Sequence, residues 1–198
     1  MYNLDFMAFA SHVKDWILWQ PTSFGFWEAQ NVQEVFSRGF SVNFVARSGF
    51  FSRIKTSTDP SKTEWKFNLQ YSFTRSQSIP NGSGIFSGEG SQLIYVPQHV
   101  LNGGLAVQFK RVDVSCNPSL TGSRYITTDL SQQLDPYFLL DFSAGIKIGE
   151  GRHRFKFSVN LENALNAEYQ AVAARPMAGR SLMFRLNWLE LSKAYKKN

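Results

Sequence analysis

The side chains able to do covalent or acid–base chemistry are sparse in this sequence and stand apart from one another. Cys116 is the only cysteine, so the chain can form neither an internal disulfide nor a cysteine metal cluster. His12, His99 and His153 are far apart, with no partner at metal-ligand spacing. No nucleophile stands with a base and its orienting group, and no carboxylates pair for general acid–base work. No catalytic residue, metal site or cofactor is therefore assigned. What clusters instead is aromatic: Phe24, Phe26 and Trp27 follow closely on Trp16 and Trp19. Such rings suit stacking on a ligand, while Trp16 and Trp19 equally suit anchoring a strand at a membrane surface.

Composition narrows the partners. The formal charge is +6, but Lys and Arg are scattered, and the only dense group is Lys193, Lys196 and Lys197 in the tail. A nucleic-acid binder would gather its cations on one face, so no nucleic-acid partner is expected. Apolar residues make up 43% and charged residues 18%, a balance that folds rather than stays disordered. No apolar run approaches the ~18 residues of a transmembrane helix. The segment Met1–Phe6 lacks the basic start, apolar middle and small-residue cleavage site of a secretory signal.

The elements that position these residues are strands. From Arg152 to Glu162, His153, Phe155, Phe157, Val159 and Leu161 alternate with Arg152, Arg154, Lys156, Ser158, Asn160 and Glu162. That period of two sets an apolar face against a polar one. Phe138 to Ile148 alternates likewise, with Asp141 and Lys147 on the polar side. Between Glu64 and Ser76, Trp65, Phe67, Leu69, Tyr71 and Phe73 oppose Lys66, Asn68, Gln70, Ser72 and Thr74. Leu182, Phe184, Leu186 and Trp188 oppose Ser181, Arg185 and Asn187, with Met183 the exception. Segments at Leu101–Phe109 and Val112–Leu120 fit too, as do weaker ones from Leu4 and Phe40, giving eight strands.

Alternation alone suits a soluble sandwich as well as a membrane barrel. Length favours the barrel, because these segments last about ten residues, whereas globular strands are mostly ~5–6 and membrane-crossing strands ~9–11. Aromatics also gather near the ends of the apolar rows, at Trp65, Tyr71, Phe73 and Trp188, as interface girdles would. Connections alternate short and long. Lys110–Arg111 and Gly149–Gly151 are tight, while 20–31, 79–98, 127–136 and 163–180 are long. Only 48–63 breaks the rule, and its part Phe50–Thr56 is expected to extend the flanking strands. Short periplasmic turns and long outer loops are the outer-membrane pattern. The polar rows, with Asp141, Lys147, Arg154, Lys156, Asn160 and Arg185, would then face the lumen.

Several segments resemble the TonB-dependent receptors of the bacterial outer membrane. Asn160-Leu161-Glu162-Asn163-Ala164-Leu165-Asn166-Ala167-Glu168-Tyr169 is similar to the family's penultimate-strand ending. Pro176-Met177-Ala178-Gly179-Arg180 resembles its Pro-Met-Pro-Gly-Arg entry to the last strand, with Ala178 in place of the second proline. Val35–Gly39, Ile94–His99, Tyr125–Asp129 and Leu134–Tyr137 resemble the family as well. Asn160, Asn163, Asn166, Tyr169, Pro176, Met177, Gly179 and Arg180 are expected to shape the turns between the last two strands. A one-turn helix is expected at Glu162–Leu165, and Gly179 is expected to supply flexible backbone at re-entry.

The resemblance implies an all-β fold in which about eight meandering antiparallel strands form part of a transmembrane barrel of about 22 strands. Residues 1–188 would be that barrel portion and 189–198 a polar basic tail. It implies import of a scarce large nutrient: an iron-siderophore, haem, cobalamin or an oligosaccharide. The partners it implies are outer-membrane lipid, an N-terminal plug, further barrel strands, and the TonB complex reached through those other parts. The plug and TonB-contacting box are not among these residues, so the chain reads as a C-terminal piece. Two other readings stay open: a self-contained eight-stranded barrel with an adhesin or structural role, and a soluble β-sandwich binding module.

Overall fold

In the computed structural model, residues 1–22, 24–31, 34–48, 63–79, 90–149 and 153–190 are described. Eight long strands form the main sheet: β1 (Tyr2–Lys14), β2 (Glu34–Arg47), β3 (Thr63–Ile79), β4 (His99–Phe109), β5 (Val112–Thr121), β6 (Tyr137–Ile148), β7 (His153–Glu162) and β8 (Ser181–Glu190). Each pairs antiparallel with the next in sequence, so the sheet is a meander. These are the eight strands that the alternation predicts. Their lengths, 10 to 17 residues, suit membrane crossing rather than a globular sheet.

Register carries the alternation of single strands across the whole sheet. Leu4 stands opposite Phe44 and Phe44 opposite Leu69, while Cys116, Phe142, Leu161 and Leu182 form one continuous row. On the other face Asn43, Gln70, Asn102 and Ser119 follow one another. A slip of one residue at any pair would turn a strand's apolar set to the polar face, so the matching rows fix the register. Pro118 interrupts the ladder locally, since it has no N–H to donate. The β4–β5 pairing passes from Asn102–Ser119 to Leu105–Cys116 with no paired residues between them.

The apolar face is uncovered. Phe6 is 69% exposed and Leu186 68%, and no large side chain is fully buried among the described residues. Among the described residues, the buried apolar side chains are Val35, Ile79, Leu93 and Ile94, where the segment after Gly90 folds against the outer end of β2 and β3. A sandwich would seal its apolar rows between two sheets; here a single sheet presents them outward. β1 and β8 pair with β2 and β7 but not with each other, so the sheet is open.

The connections sort to the two ends as expected. Lys110–Arg111 turns tightly, with Lys110 at φ 53°, and Gly149 at φ 91° begins the other short turn. At the opposite end, small hairpins form within the long connections: Ile17–Pro21 with Trp27–Asn31, Arg124–Tyr125 with Gln133–Leu134, and Gln170–Val172 with Arg175–Pro176. Ser91–Gln92 adds a short strand to the end of β3. The expected strand extension at Phe50–Thr56 and the tail cations lie outside the described residues.

One local expectation fails. The described residues contain no helix, and 163–165 form a turn instead of the expected helical turn. Asn163 sits at φ 47°, a left-handed backbone that cannot propagate a right-handed helix. The amide of Asn166 closes the turn on the Asn163 carbonyl at 2.8 Å.

Candidate outer rim and lumen face

The polar residues gather in two places, the outer rim and the inward face of the wall. At the rim, Asn163 is 4% exposed and bonds in every direction. Its backbone N–H donates to Asp141 Oδ1 at 2.8 Å, and its Oδ1 accepts from the Ala167 amide at 2.8 Å. Its Nδ2 donates to the carbonyls of Ala167 at 2.9 Å and Ala178 at 3.5 Å. Asn166, at φ 53°, accepts the Arg180 amide at 2.9 Å. A Cβ on Gly179 would stand 2.9 Å from Asn166 Oδ1. Glycine thus leaves room there for the Asn166 carboxamide, and its φ is not left-handed, so the backbone freedom expected from sequence is not what it supplies. Met177 N–H donates to the Tyr169 carbonyl at 3.2 Å, and Pro176 stands opposite Gln170.

The four outer connections touch in series. Trp27, from the hairpin after β1, lies 6.0 Å from Tyr95, whose amide donates to the Tyr125 carbonyl at 2.8 Å. Next to Tyr125, Arg124 is 4% exposed and donates from Nη2 to the Gln170 carbonyl at 2.8 Å. Its guanidinium lies 4.9 Å from the centre of the Tyr137 ring, and Tyr137 packs against Tyr169 at 4.5 Å. The Arg124 Nε is buried without a partner. Burial first, then the neighbouring Tyr137 hydroxyl and the Asp141 and Glu162 carboxylates, raises the Tyr169 hydroxyl above its usual pKa. A groove of about 650 Å³ opens between the last two outer connections, lined by residues including Asp135, Tyr137, Glu168 and Tyr169. Arg124 joins these connections and was not singled out from sequence. A lone arginine in Gly-Ser-Arg-Tyr has no periodicity to mark it.

The aromatic cluster is split by the fold. Phe24 and Phe26 stack at 6.2 Å on the tip of the first hairpin, with Phe24 85% exposed. Thr22 holds that tip through its N–H and Oγ, 2.8 and 2.9 Å from the Phe26 carbonyl. Trp16 lies between β1 and this hairpin, and Trp19 within it opposite Ala29, so neither is on a wall strand. Trp65 and Trp188 are on the outward apolar face near the short turns, Trp188 stacked on Phe155 at 6.5 Å.

The inward face carries the remaining candidates. Lys156 Nζ is 2.9 Å from both carboxylate oxygens of Asp113, two strands away. It reaches there over Gly145, where a Cβ would come within 2.8 Å of Asp113 Oδ2 and Lys156 Cε. Lys147 is exposed opposite Lys156, and Arg154 is exposed on the same strand face. Asn160 stands between Ser143 and Met183, and Arg185 Nη2 lies 3.9 Å from Met183 Sδ. Asp141 is engaged by the Asn163 amide. Among the described residues, no group of three or more His, Cys, Asp or Glu could hold a metal ion.

Comparison with known proteins agrees with this geometry. The family model described as TonB dependent receptor-like, beta-barrel, matches residues 2–164. No curated protein sequence matches. Among solved structures, BauA, the ferric preacinetobactin receptor from Acinetobacter baumannii, is similar at 17% identity and a TM-score of 0.66, covering 94% of this chain and 27% of its own. FyuA, the ferric yersiniabactin uptake receptor from Yersinia pestis, gives 17% identity and 0.60 over 94% and 26%. The copper transporter OprC gives 11% identity and 0.65 over 96% and 29%. The chain thus spans about a quarter of the length of the receptors it resembles. From the sequence match over most of its length, and a sheet with the same course, the chain belongs to the TonB-dependent receptor β-barrel family.

Proposed function

We propose that this chain forms about eight strands of the wall of an outer-membrane transport receptor, with its polar face towards the lumen. The observation that carries this reading is the register: one apolar face and one polar face continue across all eight strands. The open edges of β1 and β8 fit pairing with further strands of a larger wall, which also relieves the unpaired N–H and C=O rows that invite aggregation. The lumen-facing row would meet a plug, and the TonB complex would act on that plug.

The transported ligand is proposed at the level of class. Two of the similar solved receptors are named for ferric siderophores and one for copper, which favours a metal-bearing ligand over an oligosaccharide. The outer rim, with Phe24 and Phe26 at its tip and the Tyr137–Tyr169 groove, is the part that would meet it. The test is growth of receptor-deficient cells on a single ferric siderophore when a receptor containing this wall is restored. Rescue that requires TonB supports the reading. Equal rescue in cells lacking TonB, or failure of the chain to reach the outer membrane, refutes it.

A further inference from the structure

The inward face carries an excess of cations near the short turns. Arg47, the last residue of β2, stands directly opposite Lys66 on β3, and Lys147, the last but one of β6, directly opposite Lys156 on β7. Alternation puts Arg154 on β7 and Arg185 on β8 on the same face. Arg47, Lys66, Lys147, Arg154 and Arg185 are exposed, and among the described residues no salt bridge joins any of them to a carboxylate. From Arg185 one inward row runs through Ser158, Gly145, Asp113 and Gln108 to Glu64, two residues from Lys66, so the cations form a single band. Its acids among the described residues are Asp113, which Lys156 engages at 2.9 Å, and Glu64. Like charges directly opposite one another destabilise a sheet. Two such pairs on one face call for negative charge from outside these strands.

The shape of the band identifies the form of its partner. Farther out the same face is mostly neutral. Ser37 and Ser76 bond through their hydroxyls at 2.8 Å, Ser115 and Ser143 at 2.7 Å, and Asn43, Gln70 and Asn102 follow one another across three strands. Asp5, at the β1 end of that belt, accepts from the Asn3 and Asn43 carboxamides at 2.8 and 3.4 Å. The uncompensated charge is thus confined to the inner end of the wall, and it is wide. β2 and β8 lie six strand steps apart, about 29 Å of wall at ~4.8 Å per step. A small anion reaches one part of such a band, whereas roughly nine extended residues span all of it at ~3.3 Å each.

We propose that this band docks an acidic polypeptide segment lying inside the lumen, its carboxylates meeting the Arg47–Lys66 pair, Lys147, Arg154 and Arg185. Charge-assisted bonds to the carboxylates would turn the like-charge penalty into cohesion, and the neutral belt beyond would leave the segment no competing hold farther out. The inference rests on the wall reading, because only a wall with its polar face inward encloses such a segment.

The full chain is refolded into phosphatidylcholine nanodiscs, and insertion is read first by protease protection of the strands. A fluorescent peptide of about ten residues alternating Glu and Ser is then titrated in, beside its Gln-for-Glu counterpart. Free glutamate at equal carboxylate concentration serves as the small-anion competitor. The expected result is insertion, with the acidic peptide bound about tenfold tighter than the neutral one at low salt and less tightly as salt is added. The variant R47Q/K66Q/K147Q/R154Q should insert equally well and lose that preference. R38Q/R75Q, which removes two facing cations from the outward side, should keep it. Failure of the wild type to insert refutes the wall reading and this site with it. Insertion without an acidic preference overturns the site alone, as does a preference that survives in the fourfold variant or disappears in R38Q/R75Q. Displacement of the peptide by free glutamate also overturns it, because the band would then serve a soluble anion.

Discussion

Just past the end of β7, the Asn163 side chain meets three backbone groups of Ala167 and Ala178, and its backbone N–H meets the wall carboxylate of Asp141. Truncating it would take the side-chain partner from both the Ala167 amide and the Ala167 carbonyl, beside a position that is itself buried. Asn163→Ala should therefore cost about 1–3 kcal/mol. Urea unfolding of the micelle-folded chain measures it, and an unchanged midpoint would show the bonds to be replaceable by water. Asp129 makes the opposite kind of contact, fully in solvent. The hydroxyls of Thr127 and Ser131, with the Ser131 amide, lower its pKa from 3.8 to about 2. A depressed folded pKa means the turn is supported fully above pH ~4 and loses that support as pH falls through about 2. The Ser131 amide resonance should titrate with a midpoint near the lower value; a midpoint near 4 would mean the turn does not hold the carboxylate.

Between elements, strand positions were legible and loop contacts were not. Phe155, Phe157, Val159 and Leu161 announce β7 because each must face lipid or core, and the same constraint repeats in every wall strand. The hairpin at Gln170–Pro176 answers to turn geometry at Ala174, φ 58°, and to Gln170 Oε1 accepting the Ala174 amide at 3.0 Å, neither of which imposes a period. The Asn163 and Gly179 positions were found through their motif, but the reason for Gly179 needed the Asn166 oxygen beside it. Arg124 is the clearest omission, since its role depends on a carbonyl 46 residues away. Arg124→Met should leave the sheet intact and loosen the last two outer connections from each other. Hydrogen exchange at Gln170–Arg175 would then quicken while β6 and β7 stay protected; unchanged exchange would remove Arg124 from the rim's support. On the inner face, a double-mutant cycle of Asp113→Asn and Lys156→Gln should give a coupling of about 0.5–1 kcal/mol, the scale of a partly exposed ion pair. In a Gly145→Val background the coupling should vanish, because the added side chain occupies the path of Lys156; persistence would show that the lysine reaches round it.

At the scale of the whole molecule, everything depends on which solvent each face meets. Exposed phenylalanine and leucine rows, with four buried apolar side chains among the described residues, make no core of the kind that holds a globular domain together in water. On the proposed reading, lipid would supply the missing environment at about 25 cal/mol per Å² of apolar surface removed from water, with strand ladders satisfying the backbone within it. This is why a helix-seeking hydropathy reading finds nothing here, as it would for any β-barrel wall. The central claim, a wall with one lipid face and one wet face, is tested most directly by a cysteine scan of residues 154–161 in a Cys116→Ala chain inserted in liposomes. Positions 155, 157, 159 and 161 should be quenched by bromolipid and resist a charged maleimide. Positions 154, 156, 158 and 160 should react with the maleimide and escape quenching. Reaction at all eight positions alike would contradict the account.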